Sequence, residues 1–129
     1  MIPGSEELFK TIAKSMIETI PEEWSSAQYD VIFFPDGSLY EAEYKRKADG
    51  VSRGFSPASE GARAFRRLRQ LFREMGKPLW GRATFTLHPR GKFNISWGYD
   101  DCDENGDALF NEEQELQRHE KRRRRLSGV

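Results

Sequence analysis

The densest group of side chains with chemical potential lies between residues 100 and 112, where acids and an amide recur at regular spacing. The segment fits the calcium-loop pattern D-x-[DN]-x-[DN]-G-x₅-E in every fixed position. Oxygen ligands at alternate positions can converge on one ion, and Gly106 permits the sharp turn that this requires. The ligands of such a site would be Asp101, Asp103, Asn105, Asp107 and Glu112.

The surroundings of this acidic segment favour a different use. A calcium loop of this type follows a helix and pairs with a second loop, whereas residues 93–99 alternate like a strand and the sequence has no second loop. The eighth loop position, usually a branched apolar residue, is Ala108. We therefore favour no metal and interpret the segment as an edge that binds a basic protein partner, with the calcium-binding loop kept as an alternative. Its candidate contact residues are Tyr99, Asp100, Asp101, Asp103, Glu104 and Asp107.

Two arginine-rich segments leave RNA binding open as an alternative. One is a helical pattern whose polar face carries Arg63, Arg66, Arg67, Arg69 and Arg73, and the other is the basic run at 121–125. Such clusters can hold a phosphate backbone. Charge on the outer face of a surface helix is the more ordinary pattern, however. The net charge of the chain is zero, so general affinity for nucleic acid is not expected.

The sequence contains no evident catalytic motif. His88 falls at a predicted turn and His119 on a polar helix, and neither stands in a motif with Cys102. No glycine-rich loop is followed by the Lys and Ser or Thr of a phosphate site. A single cysteine excludes an internal disulfide and a multi-cysteine zinc site. We expect a binding protein rather than an enzyme, with no cofactor and no small-molecule substrate.

Length and composition indicate one domain over residues 1–129, in which we expect residues 116–129 to form a mobile basic tail. Charged residues make up 33% of the chain, and the 12% share of aromatic residues supplies large side chains for a core. Charge is segregated, because residues 45–73 are mainly basic and residues 100–115 carry acids and no base. No apolar run has the length of a signal peptide or a membrane span, so we expect a cytoplasmic protein.

Apolar periodicity predicts the elements that must position these segments. Ser5 is expected to cap the first helix, Pro21 to stop it, and Ser56 to cap the second. The predicted elements are a helix at 5–20, strands at 27–34 and 39–46, a loop at 47–56, a helix from Ser56 to Gly76, strands at 80–87 and 93–99, and a helix at 112–125.

The order α-β-β-α-β-β-α predicts an α+β fold, with an antiparallel sheet of about four strands and helices packed against it. The cleanest apolar row runs along the last strand, and we expect it to be mainly core: Phe93, Ile95, Trp97 and Tyr99. Trp24 and Trp80 fall just outside the predicted elements and are expected to cover the ends of the core.

Two blocks of the sequence carry a family resemblance. The first comprises Leu8, Ile12 and Ala13, followed by the string from Ile20 to Trp24; the second comprises Pro78, Trp80 and Leu87, then Gly91-Lys92-Phe93-Asn94-Ile95 and Tyr99-Asp100-Asp101. In residue type, order and separation they resemble the YezG-like immunity proteins. The resemblance covers roughly the first 24 residues and residues 78–101, while the middle agrees only in being a hairpin followed by a helix.

This resemblance implies a small cytoplasmic antitoxin that binds and neutralises the C-terminal toxin domain of a bacterial polymorphic toxin, often a nuclease. It implies no catalytic residues. The acidic segment beyond Asp101 and the arginine-rich tail fall outside the resemblance, and we expect them to select the cognate toxin. A dense acidic edge suits a nuclease partner, because a basic cleft that binds polyanions also attracts acidic protein surfaces.

Overall fold

The computed structural model of the protein describes residues 3–35 and 37–99. The elements, in order, are α1 (Ser5–Ile17), β1 (Trp24–Phe34), β2 (Gly37–Arg46), β3 (Ser52–Gly54), α2 (Ser59–Glu74), β4 (Arg82–Leu87), a 3-10 turn (Pro89–Gly91) and β5 (Phe93–Gly98). The α+β class and the order of the first six predicted elements are confirmed, and β3 is an additional strand. The helix predicted at 112–125 lies outside the described residues.

The strands form one antiparallel sheet in the order β3-β2-β1-β4-β5. Strand β1 lies at its centre and pairs with both β2 and β4, while α2 spans the connection from β3 to β4. Within the described ranges, β3 and β5 each pair with one strand only. The sheet therefore has two edges of very different length, three residues at β3 and six at β5.

Alternate strand residues and the two helices enclose a single core. Tyr29 of β1 meets Phe65 of α2 edge to face, with ring centroids 5.1 Å apart. The buried core comprises Phe9, Ile12, Met16, Ala27, Tyr29, Val31, Phe33, Tyr44, Ala64, Phe65, Leu68, Phe72, Trp80, Ala83, Phe85 and Leu87. The intervening positions of the sheet are mainly polar, with residues such as Gln28, Thr84 and Ser96, although Ile32 and Leu39 form an apolar pair among them. Neither helix in the described ranges is long and apolar enough to cross a membrane.

Both helices have N-caps that differ from those predicted, and α2 also begins later than expected. The N-cap of α1 is Gly4, whose left-handed φ of 86° suits a glycine, and Ser5 is buried inside the first turn. The N-cap of α2 is Ala58 rather than Ser56. The Ala58 N–H donates to the carbonyl of Ser15 in α1 at 3.1 Å, so a contact between helices sets where α2 starts.

The end of α1 and the second tryptophan also differ from expectation. Helix α1 ends at Ile17, after which the Thr19 N–H donates to the Met16 carbonyl at 3.1 Å and the Thr19 hydroxyl donates to the Ser15 carbonyl at 2.8 Å. Trp80 does not cover an end of the core but is fully buried, with its ring centroid 5.6 Å from that of Phe33 and 6.0 Å from that of Phe72.

Candidate functional site

Tyr99 begins the predicted contact segment and is the part of it that the structure describes. It follows β5 directly, and its side chain is 47% exposed. The remaining candidates lie outside the described residues: Asp100, Asp101, Asp103, Glu104 and Asp107, together with the further calcium-loop positions Asn105 and Glu112. Both the acidic contact surface and the calcium loop stay predictions. Within residues 3–35 and 37–99, no group of three His, Cys, Asp or Glu side chains is placed to hold a metal.

The apolar row that leads to Tyr99 lies on an edge strand and is core only in part, because Ile95 and Trp97 pack against the buried cluster whereas Phe93 and Tyr99 are exposed. Phe93 is 42% exposed, and Ile95 and Trp97 are half-buried. The physical reason is the sheet order, because a strand at the edge has a neighbour on one side only. Periodicity identifies the face to which a side chain points but not whether a further strand covers its flank.

Aromatic contacts anchor β5 to the rest of the protein. The Phe93 ring stacks on Phe85 at 5.1 Å between centroids and tilts against Phe9 at 5.4 Å. The Trp97 ring lies 4.8 Å from Trp80 and 4.9 Å from Phe72. The inner side of the apolar row is thus held firmly, while no other strand of the described residues covers its outer side.

Among residues 3–35 and 37–99, the β5 edge lacks the features that usually keep a sheet edge from pairing with another chain. Exposed edges are typically protected by short length, charged side chains, proline or a bulge. Strand β5 has no charged residue and no proline, and it pairs with β4 in unbroken register from Phe93 to Gly98. On its polar face, Asn94 and Ser96 are exposed and neutral. An unprotected edge with an apolar row is typical of an interaction surface.

An open groove of about 810 Å³ lies beside the β4–β5 turn. Its lining residues are Ile17, Ile20, Pro21, Glu22, Glu23, Trp24, Ser25, Lys47, His88, Pro89, Arg90 and Gly91. Arg90 has a left-handed φ of 74°, and Gly91 follows with a φ of 80°. The turn is closed by the His88 N–H, which donates to the Lys92 carbonyl at 2.7 Å. The groove is shallow and lined by side chains of mixed polarity, which is unlike the enclosed apolar pockets of small-molecule sites.

A polar network joins the segment after α1 to the β2–β3 hairpin. The Tyr44 hydroxyl donates to Glu22 Oε2 at 2.5 Å, and Arg46 Nε donates to Glu22 Oε1 at 2.9 Å. Arg46 Nη1 also donates to Asp49 Oδ2 at 3.0 Å. The hydrogen bond from Tyr44, with Arg46 as a further cause, lowers the pKa of Glu22, and the same bond raises the pKa of Tyr44. Sequence reasoning did not find this network, although Glu22 belongs to one of the family-like blocks.

The arginine-rich face of α2 serves the fold in part. Arg69 Nε donates to the Trp80 carbonyl at 3.1 Å, and its guanidinium carbon lies 4.6 Å from the centroid of the Phe33 ring. Arg63 pairs with Glu60 and Arg67 pairs with Glu74, at 3.3 Å and 3.2 Å. The face is therefore engaged in contacts within the protein, which weakens the RNA-binding alternative.

Comparison with family models gives a match over residues 52–121, to the family described as Immunity protein YezG-like. The match covers more than half of the chain and runs from β3 through β5 into the acidic segment. The chain belongs to the YezG-like immunity proteins. Comparison with curated proteins gives no match.

Membership confirms the resemblance inferred from the sequence and corrects its extent. The match begins at residue 52, so the first block, from Leu8 to Trp24, lies outside it. It continues past Asp101 to residue 121, so the acidic segment lies inside the family region and not outside it. The family gives this YezG-like protein a role in immunity, as an antitoxin with a toxin as its partner. An immunity role also suggests a protein that acts without catalysis. The unprotected β5 edge and Tyr99 both fall within the matched residues.

Proposed function

We propose that this YezG-like protein neutralises a cognate polymorphic toxin domain, a nuclease, by direct protein–protein contact in the bacterial cytoplasm. The family match over residues 52–121 carries this proposal. The protein acts by binding, with no cofactor and no substrate of its own. The toxin is held for as long as the complex persists, so the dissociation rate limits protection.

The contact surface we propose starts at Tyr99 and continues through Asp100, Asp101, Asp103, Glu104 and Asp107. Two observations support it: the half-exposed side chain of Tyr99 at the end of an edge strand, and a sequence that carries eight acids and no base over residues 100–115. Tyrosine is enriched at protein interfaces, whose rims are polar and accessible to solvent.

The charge of this segment is the reason for proposing a nuclease. A nuclease holds a polyanion in a basic cleft, and an acidic protein surface of matching shape can occupy the same cleft. Complementary charge raises association rates from about 10⁵–10⁶ to about 10⁸–10⁹ M⁻¹s⁻¹ at low salt. Fast capture is useful to a protein that must reach a toxin before the toxin reaches its substrate.

The test uses the full chain and the toxin domain encoded beside it. The toxin domain should co-purify with the protein and lose its nuclease activity in the complex. A variant in which Asp100, Asp101, Asp103, Glu104 and Asp107 become Asn or Gln should bind at least 100-fold more weakly, mainly through a slower association rate measured by surface plasmon resonance.

A matched control removes the same charge elsewhere on the surface. Its substitutions are at the exposed residues Glu6, Glu7, Glu18, Glu23 and Glu43, each replaced by Gln. The control should bind like the wild type. Equal binding by both variants would refute the acidic contact surface while leaving the antitoxin role intact. A toxin that stays active and unbound in the presence of excess protein would refute the proposed function itself.

A further inference from the structure

The groove beside the β4–β5 turn combines apolar side chains with a charged rim. Its apolar side chains come from the region where α1 ends and β1 begins, and they are Ile17, Ile20 and Trp24. Ile17 is 49% exposed, while Ile20 and Trp24 are half-buried. Apolar surface that is rimmed by polar residues often marks a site of protein interaction.

The charges of the groove are compensated unequally. Glu22 is held by Arg46, whose Nε donates to Glu22 Oε1 at 2.9 Å. Lys47, Arg90 and Glu23 also line the groove, all three are exposed, and none forms an ion pair with a described residue. Two cations therefore stand against one carboxylate, and the charge left for a partner to neutralise is positive.

The backbone of Arg90 is strained. Its φ of 74° lies in the left-handed region, which glycine adopts without cost and a residue with a side chain does not. Turn positions with positive φ usually carry glycine or asparagine. The Arg90 side chain makes no hydrogen bond or ion pair with the described residues, so no contact of the fold explains an arginine there. Strained residues of this kind cluster at functional sites.

These features fit a carboxylate on a protein partner. Arginine and lysine bind carboxylates through short, charge-assisted hydrogen bonds. Glu22 and Glu23 lie in the same groove and would repel the successive phosphates of a nucleic acid. A single acidic side chain flanked by apolar ones matches both the cations and the apolar side chains of the groove.

We propose that this groove is a second docking site for the toxin, which it binds by an Asp or Glu side chain held by Lys47 and Arg90. The inference rests on the proposed function and adds a contact at the opposite end of β5 from Tyr99. A strand of six residues is about 20 Å long, so one interface of about 800 Å² per partner can include both ends. Opposite charges at the two ends fix the orientation of the toxin.

Carbodiimide cross-linking of the wild-type complex tests the chemistry of the ligand. The reagent activates a carboxyl group, a nearby lysine amine then forms an amide bond with it, and the carboxyl oxygen leaves with the reagent as a urea. Lys47 should be joined to an Asp or Glu of the toxin domain, as identified by mass spectrometry. Lys45 is the matched control, because it is exposed and close in sequence but does not line the groove. It should give little product.

Removing the two cations gives a second test by surface plasmon resonance. The double variant Lys47→Gln, Arg90→Gln should bind the toxin about tenfold more weakly. The control, Lys45→Gln with Arg73→Gln, removes the same charge at exposed positions outside the groove. It should bind at least as tightly as the wild type, because a loss of positive charge elsewhere favours a basic partner.

A single substitution separates binding from folding. Glycine relieves the strained φ of position 90, so Arg90→Gly should melt at the same temperature as the wild type or at a higher one. The same variant should nevertheless bind the toxin more weakly. A lower melting temperature would assign Arg90 a role in the fold instead and would count against the docking site.

Other occupants of the groove give different results. A cross-link from Lys47 to residues 100–115 of the same chain would assign the groove to the protein's own acidic segment. A cross-link between isotope-labelled and unlabelled copies would assign it to self-association. Binding of single-stranded RNA that is lost in the Lys47→Gln, Arg90→Gln variant would assign it to nucleic acid. Each of these results would overturn the proposal.

The two levels of inference fail in different ways. Equal toxin binding by the two double variants would refute the docking site and leave the antitoxin role intact. A toxin domain that does not bind the wild type would refute the proposed function and the docking site together.

Discussion

The two edges of the sheet are stabilised by different forces. At the β3 edge, Glu22, Tyr44, Arg46 and Asp49 form a polar network, and the strand itself is short and exposed. At the β5 edge, aromatic stacking holds a longer, uncharged strand whose outer side is open. A short, charged edge resists pairing, whereas a long, neutral one invites it. The comparison indicates that, within the described residues, short length and charge protect the β3 edge, whereas the β5 edge has neither protection.

The largest expected difference between the edges comes from removing an anchor of β5. Trp97→Ala deletes the ring that packs against Trp80 and Phe72, and should lower the free energy of unfolding by about 3 kcal/mol. Phe55→Ala is the counterpart near β3, where the ring contacts Tyr44 at 5.7 Å between centroids. It should cost about 1.5 kcal/mol, because Phe55 is only half-buried. Urea denaturation measures both, and equal losses would contradict the comparison.

A matched pair of glycine substitutions gives the next largest effect. A Cβ at Gly98 of β5 would lie 2.9 Å from Arg82 Cβ, which is too close, whereas one at Gly54 of β3 would lie 3.9 Å from the Ala42 carbonyl oxygen. Gly98→Ala should therefore destabilise the protein by about 2 kcal/mol through overpacking. Gly54→Ala should change stability by less than about 0.5 kcal/mol. Thermal unfolding distinguishes them, and a tolerated Gly98→Ala would show that β5 moves freely against β4.

A smaller effect is expected from Asp49, which closes the hairpin between β2 and β3. Its carboxylate accepts from the Val51 N–H and from Arg46, both at 3.0 Å. Asp49→Ala should cost about 1 kcal/mol, since the site is partly exposed. Hydrogen exchange at the Val51 amide should accelerate, with no change in β5. Glu43→Ala, at an exposed position on β2, is the control. Equal exchange rates of the Val51 amide in the two variants would show that Asp49 does not stabilise the hairpin.

The smallest effect is a change in pH dependence caused by Glu22. Its folded-state pKa lies below the ordinary 4.5, so its stabilising contribution is complete above about pH 4.5 and is lost as the pH falls through the folded value. The difference in the free energy of unfolding between the wild type and Glu22→Gln should therefore shrink as the pH falls below about 5. Melting temperatures across that range measure it, with Glu23→Gln as the neighbouring control. If the difference between the two proteins stays constant across this pH range, the contacts from Tyr44 and Arg46 do not stabilise the charged form of Glu22.

Elements set by local periodicity were predictable from the sequence, and those set by contacts between elements were not. The amphipathic patterns placed α1, α2 and four of the strands, although their ends shifted by several residues. Strand β3 escaped prediction because Ser-Arg-Gly has little strand preference and pairs only because β2 lies beside it. Similarly, Ser56 looks like a helix cap in isolation, but the bond from Ala58 to Ser15 starts α2 later.

The candidate site shows the same division. The sequence pointed to the acidic segment and to the family, because both depend on strings of neighbouring residues. It did not show that Phe93, Ile95 and Trp97 line a sheet edge, since strand order depends on pairing between distant segments. Nor did it show that Arg69 reaches Trp80 and Phe33, a contact that only the packing of α2 against the sheet creates.

The close approach of Trp80 and Trp97 also allows the packing of β5 to be followed by spectroscopy. Two indole rings with centroids 4.8 Å apart and planes inclined by 33° can couple their electronic transitions. A paired signal in the circular dichroism spectrum would then report the docking of this one strand, separately from the global unfolding of the domain. If that signal is lost before the helix content, β5 separates from the core before the helices unfold. The measurement needs no added dye or label.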